Sequence, residues 1–183
     1  MGSMSTPLLQ GFAPVADDDA RLLILGSFPS VQSLAVRQYY GNPRNAFWPI
    51  AGELFGFDAA MPYENRLTAL QSRGVALWDV LHKCRRAGSS DAEFDAHSLV
   101  VNDFRRFFAS HRSIDRVCFN GRVAQRLFEK LVDIEAPVSY QLLPSSSPAR
   151  AMPAGQKLAA WRRTVMTPAD AAAPRGEPPR SAR

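Results

Sequence analysis

The chain has 183 residues, 46% of them hydrophobic, and its 22 Lys and Arg against 17 Asp and Glu give a formal net charge of +5. Those values fit one globular unit with a packed core and exclude a disordered or fibrous chain. No apolar run reaches the roughly 20 residues that span a bilayer, and the first residues lack the pattern of a secretory leader, so a soluble cytoplasmic protein with no membrane contact is expected.

In chain order, Met1-Gly2-Ser3 before Met4 reads as a cloning scar, and 1–6 stand outside the folded unit. Leu22-Leu23-Ile24-Leu25 before Gly26 has no polar alternation and predicts a strand buried on both faces. Phe47, Ile50, Ala51, Leu54 and Phe55 are spaced as one face of a helix. Val75-Ala76-Leu77-Trp78 predicts a second strand, Phe104, Phe107 and Phe108 a helix, and Val117-Cys118-Phe119 a third strand. Val123, Leu127 and Leu131 predict another helix, Val138 to Leu143 a fourth strand, and Leu158, Trp161 and Val165 a last helix. Strands alternating with helices imply a mostly parallel sheet covered on both faces, in one domain over 7–167. Residues 168–183 are rich in Pro, Ala and Arg and are expected to be a disordered tail.

The charge is unevenly placed. Residues 1–143 hold 15 basic and 15 acidic side chains, so the whole excess lies in 144–183. Arg150, Lys157, Arg162 and Arg163 have no acid among them and are expected to form a phosphate-facing patch, or else a solvated helix face. Cys84 and Cys118 are too few for a disulfide framework or an iron–sulfur site, and they read as buried and inert. His82, His97 and His111 have no metal-ligand spacing and read as surface residues.

In such sheets ligands bind beyond the carboxyl ends of the strands. The loops there read Gly26-Ser27-Phe28-Pro29-Ser30, Asp79 onward, Asn120-Gly121, and Pro144-Ser145-Ser146-Ser147-Pro148-Ala149-Arg150. The first suits a tight turn or a close backbone approach to a ligand. Residues Gln38 to Trp48 gather three planar amides, an Arg and four aromatics in eleven positions. That mixture suits a pocket that stacks a flat heterocycle and hydrogen-bonds its edge.

Gly26-Ser27-Phe28-Pro29-Ser30, Ser33-Leu34, Gln38-Tyr39-Tyr40, Asn42-Pro43-Arg44-Asn45-Ala46-Phe47-Trp48, Trp78-Asp79-Val80-Leu81, Arg86 to Asp91, Asn120-Gly121 and Leu143 to Ala149 together resemble the hypoxanthine-DNA glycosylase family of the uracil-DNA glycosylase superfamily. The resemblance runs from about Leu22 to Trp161. It implies a three-layer α/β/α sandwich with a short, mainly parallel four-stranded sheet. It also implies an enzyme that flips a deaminated base from DNA and hydrolyses its glycosidic bond without metal or cofactor. Hypoxanthine is the preferred base, with a uracil or mixed uracil/xanthine enzyme of the same fold, or a non-catalytic nucleic-acid-binding domain, as alternatives. No lysine lies in the four loops, which argues for a monofunctional enzyme, expected to act as a monomer.

The resemblance implies residue roles as well. Phe28 stands where most sister branches carry a water-positioning Asp or Asn, and it is left to contact the base. Asn45 becomes the catalytic amide, orienting water or stabilising the departing base, although Asn is also a favoured helix cap. Phe47 would stack on the flipped base or serve the core, and Tyr40, like Tyr39, would line the pocket or cover the core. Asp79 would read the base edge or pair with Arg85 or Arg86, and Asn120 would join that floor or cap a helix. Ser27, Ser30, Ser145, Ser146, Ser147 and Arg150 would contact the DNA backbone.

Overall fold

A computed structural model describes residues 5–167. Met1-Gly2-Ser3, read as a scar, and 168–183, read as a disordered tail, lie outside the described residues.

The elements run β1 (Leu8–Gln10), β2 (Leu22–Gly26), α1 (Val31–Val36), α2 (Phe47–Phe55), α3 (Tyr63–Ser72), β3 (Val75–Asp79), β4 (Leu81–Arg85), a 3-10 turn at Asp91–Glu93, β5 (Val100–Val101), α4 (Phe104–Ser110), β6 (Arg116–Asn120), α5 (Arg122–Leu131), β7 (Ser139–Leu143) and α6 (Ala154–Val165). Four strands form a wholly parallel sheet in the order β3-β2-β6-β7. A second, antiparallel sheet in the order β1-β4-β5 has no counterpart in the sequence reading. Its longest internal run, Leu-His-Lys-Cys-Arg, buries only Leu81 and Cys84, too few apolar positions to show a period.

Alternation along β2 sends its residues to two cores. Leu23 and Leu25 join Trp78, Phe119, Phe104, Phe107 and Phe128 on the side of α4 and α5. Leu22 and Ile24 join Phe47, Trp48, Leu70, Leu77 and Trp161 on the side of α2, α3 and α6. The result is the expected three-layer α/β/α sandwich, with each buried Leu, Ile or Phe contributing roughly 1.5–3 kcal/mol. Among the described residues no helix is long and apolar enough to cross a membrane.

The topology fixes where a ligand can enter. The chain leaves β2 toward β3, then crosses back past β2 to β6 and continues to β7. The crossovers therefore diverge between β2 and β6, and the crevice beyond Gly26 and Asn120 is the switch point of the sheet. Helix α2 opens on this crevice. Pro49 sits in its first turn, where no intrahelical N–H is needed, and Gly56 ends it at a φ of 74°.

Candidate active site

The floor of the crevice is tight. A Cβ on Gly26 would lie 2.5 Å from Oδ1 of Asp79 and 3.3 Å from the Tyr40 hydroxyl, so only glycine lets these groups close over the end of β2. Asp79 ends β3, 5% exposed, and its Oδ2 is buried with no hydrogen-bond partner. Burial, and then the nearby Asp91, push this carboxyl up to about 7, while Arg86 acts in the opposite direction. The alternative pairing of Asp79 with Arg85 or Arg86 does not form. Among the described residues the one salt bridge is Arg21 with Asp115, far along the chain. Arg85 donates to the carbonyl of Thr6, and Arg86 donates to that of Pro29 with its guanidinium 5.2 Å from the Phe28 ring and 5.3 Å from Phe94.

Tyr40 adopts a left-handed backbone, φ 55°, rare for a residue with a bulky side chain. Its ring stacks on Phe47 with centroids 4.0 Å apart and planes 23° from parallel. Its hydroxyl is buried and unpaired beside Asp79 and Asn120, and burial raises its pKa well above the ordinary phenol value. Phe47 itself is fully buried, edge-on to Trp48 and Trp161. The ring that the crevice presents is thus Tyr40, with Phe47 as the core residue behind it.

Asn45 stands half-buried beside Tyr40, on a cavity of about 300 Å³ also lined by Gln38, Asn42, Trp48 and Arg66. Its Oδ1 accepts the N–H of Phe47 at 2.9 Å, which satisfies a free donor of the first turn of α2. A backbone N–H can be accepted only by the amide oxygen, so the orientation of the side chain is fixed and Nδ2 is left as the free donor. The cap position itself is Ala46, so Asn45 holds the first turn of α2 from one residue upstream, and the same bond presents its amide. Apolar cavities of about 380 and 430 Å³ flank α4 and touch neither Asn45 nor Asp79.

Asn120 is bonded to the last loop. Its Oδ1 accepts the Ser146 N–H at 2.8 Å and its Nδ2 donates to Ser146 Oγ at 2.9 Å. Ser146, 1% exposed, in turn accepts the N–H of Ala46 at its carbonyl, so the last loop is tied both to β6 and to the start of α2. Ser145 Oγ accepts from the Ser147 N–H, Ser147 Oγ accepts from the Ala149 N–H, and Arg150 is exposed. Gly121, at φ 95°, comes so close to Ser145 that a Cβ would meet its side chain at 2.9 Å. Ser30 caps α1 by accepting the Ser33 N–H, and Ser27 donates to Asp91 at 2.9 Å. Phe28 is turned into the core beside Phe94.

The expected basic patch is split. Lys157 is buried, its ammonium donating to the carbonyls of Ser147 and Arg150 at 3.3 Å, so it braces the loop from inside. Arg162 and Arg163 lie in the last turn of α6, whose end is held by Arg116 at the amino end of β6, opposite the crevice. Only Arg150 remains at the crevice end. Replacing Arg150 with Ala should reduce the magnitude of the log–log salt slope of DNA binding by about one, whereas the Arg162→Ala, Arg163→Ala pair should leave it unchanged. Fluorescence anisotropy titrations across salt concentrations check this.

Cys84 and Cys118 are buried, and burial pushes both thiols up to about 11, so neither is a ready nucleophile. Asn102, which no sequence signal singled out, donates to the main-chain carbonyl of Asp79 at 2.7 Å and holds the end of β3 in place.

The model of the Uracil DNA glycosylase superfamily matches residues 13–167. A protein of Methanosarcina acetivorans named hypoxanthine DNA glycosylase is 38% identical over 75% of this chain and 85% of its own length. One of the same name from Methanosarcina barkeri is 38% identical over 62% of this chain and 71% of its own. A solution NMR structure of a Methanosarcina acetivorans protein, described as a candidate uracil DNA glycosylase, superposes with a TM-score of 0.69 at 33% identity, covering 86% of this chain and 98% of that one. The chain belongs to the hypoxanthine DNA glycosylase family of the uracil DNA glycosylase superfamily.

Proposed function

We propose that this glycosylase removes hypoxanthine in preference to other deaminated bases, as a monofunctional enzyme acting on DNA as a monomer. One residue carries the reading: Tyr40 sets its hydroxyl beside Asp79 at the end of β2, stacks its ring on Phe47, and lines the same cavity as Asn45, whose amide oxygen is held by Phe47. The flipped nucleotide enters over Tyr40, its edge meets Asp79, and the phosphates on either side rest on the loops at 26–30 and 144–150.

In the reaction the C1′–N bond breaks with its electron pair going to the base, and the sugar develops oxocarbenium character. Water then bonds to C1′, and its proton ends on the base or solvent. Asn45 cannot take that proton, because an amide is no general base. With Oδ1 held by Phe47, its Nδ2 serves best as a donor to the departing anionic base, which is stabilisation by a preorganised dipole. The one lysine near the loops, Lys157, is held by two carbonyls, which supports hydrolysis without a Schiff base.

Single-turnover rates on duplexes holding deoxyinosine, deoxyuridine or deoxyxanthosine test the preference. Hypoxanthine should be released at least about tenfold faster than the others, a margin of roughly 1.4 kcal/mol. Uracil release without hypoxanthine release would overturn the choice of base.

A further inference from the structure

We propose that Asp79 reads the base as a neutral carboxylic acid, its hydroxyl donating to the exocyclic carbonyl and its own carbonyl accepting the adjacent ring N–H. This deepens the reading above and rests on it.

The surroundings of the carboxyl carry the argument. Oδ2 is buried without a partner and Oδ1 lies against Gly26, so no donor of the protein stabilises a negative charge on Oδ2. None of the groups that face the carboxyl forms a hydrogen bond or an ion pair with it, and the Arg86 charge is outweighed by burial and Asp91. Asn102 gives its amide to the main-chain carbonyl of Asp79, not to the carboxyl. Arg86 donates one Nη to Pro29 and lies over the Phe28 and Phe94 rings; its Nε and Nη1 are buried without a partner, it forms no ion pair with Asp79, and its charge is shared among Asp91, Glu93 and Asp79. Asp91, half-buried and accepting from Ser27, adds a second acid; the Tyr39 hydroxyl donates to the Ala13 carbonyl, and that of Tyr40 makes no hydrogen bond to the carboxyl. A buried carboxyl so placed keeps its proton up to about pH 7.

The protonation state decides which edge fits. A carboxylate only accepts, and it matches two adjacent N–H groups, the edge of guanine. A carboxylic acid donates and accepts side by side, and it matches an N–H next to a C=O, the edge that hypoxanthine, xanthine and uracil share. Asp79 in its acid form therefore offers the same pair of groups as an amide side chain would.

The test combines pH profiles with a readout independent of turnover. In the wild type, kcat/KM on a deoxyinosine duplex should fall about tenfold per pH unit above about pH 7. Asp79→Asn should lose that limb and keep activity within about tenfold of the wild-type maximum, whereas Asp79→Ala should lose about 100-fold at every pH. The sign for stability follows from the raised pKa: the folded state holds the proton longer than the unfolded one, so stability is full below about pH 4 and declines until about pH 7. The Tm advantage of Asp79→Asn over wild type should accordingly grow across that interval and then level off. A limb that persists in Asp79→Asn, an Asp79→Asn variant as inactive as Asp79→Ala, or a Tm difference flat from pH 4 to 7 would each overturn the proposal. Failure of the wild type to release any base would overturn the glycosylase reading instead, and the Tm series would still decide whether the carboxyl is neutral.

Discussion

Replacing Asn45 with Asp should slow base release by about 100- to 1000-fold while leaving the stability of the fold nearly unchanged, the range found when one preorganised donor is lost from a site that stabilises developing charge. Aspartate keeps the oxygen that caps Phe47 but replaces Nδ2, the free donor, with an oxygen that repels a departing anionic base. Asn45→Ala should lose a comparable amount of rate and also about 1 kcal/mol of stability, because the hydrogen bond to the Phe47 N–H goes too. Binding to DNA carrying a non-cleavable nucleotide should survive both changes. Comparing single-turnover rates with denaturant midpoints separates the two roles of the residue: an Asn45→Asp enzyme that keeps wild-type rates would remove Asn45 from the chemistry.

Trp161→Ala should be the most damaging single change to the fold, at about 3–5 kcal/mol, since it empties a fully buried indole site in the core on the α2 side of the sheet. The effect reaches the crevice by two contacts. The indole N–H donates to the Pro144 carbonyl at 2.8 Å, and the ring meets Phe47 edge-on at 6.0 Å, under the stacked Tyr40. Trp161→Phe keeps most of the packing but frees Pro144, so it should lose about 1–2 kcal/mol and raise KM for DNA more than it lowers kcat. Chemical denaturation and steady-state kinetics measure both, and a cost below about 1 kcal/mol for Trp161→Ala would show that the loop does not depend on this anchor.

Strands β2, β3 and β6 were legible because they are buried along most of their length and read as apolar runs, whereas β7, at the edge of the sheet and mostly exposed, showed only a mixed apolar and polar run. Helices α2, α4, α5 and α6 were legible from their periodicity. What escaped notice lacks such a signal: α1 has six residues, α3 buries only Leu70, and β1 and β5 have three and two residues. The site shows the same division. Residue types and spacing pointed to Asn45, Tyr40 and Asp79; in the structure Tyr40 lines the cavity of Asn45 and sets its hydroxyl beside Asp79. Nothing in the spacing could show that Asn120 clamps Ser146, that Tyr40 rather than Phe47 lines the cavity beside Asn45, or that Asp79 forms no ion pair. Those facts depend on which way each side chain turns after the layers pack. The charge count misled for the same reason, since net charge records neither that Lys157 is buried nor that α6 carries Arg162 and Arg163 to the far end of the sheet.

The central claim is that this crevice breaks a glycosidic bond and nothing else. Mass spectrometry of a deoxyinosine duplex after incubation with the protein tests it most directly. Free hypoxanthine together with a full-length strand carrying an abasic site is the predicted result. An intact deoxyinosine strand with no free base, or a strand cleaved at the lesion by the protein alone, would contradict it.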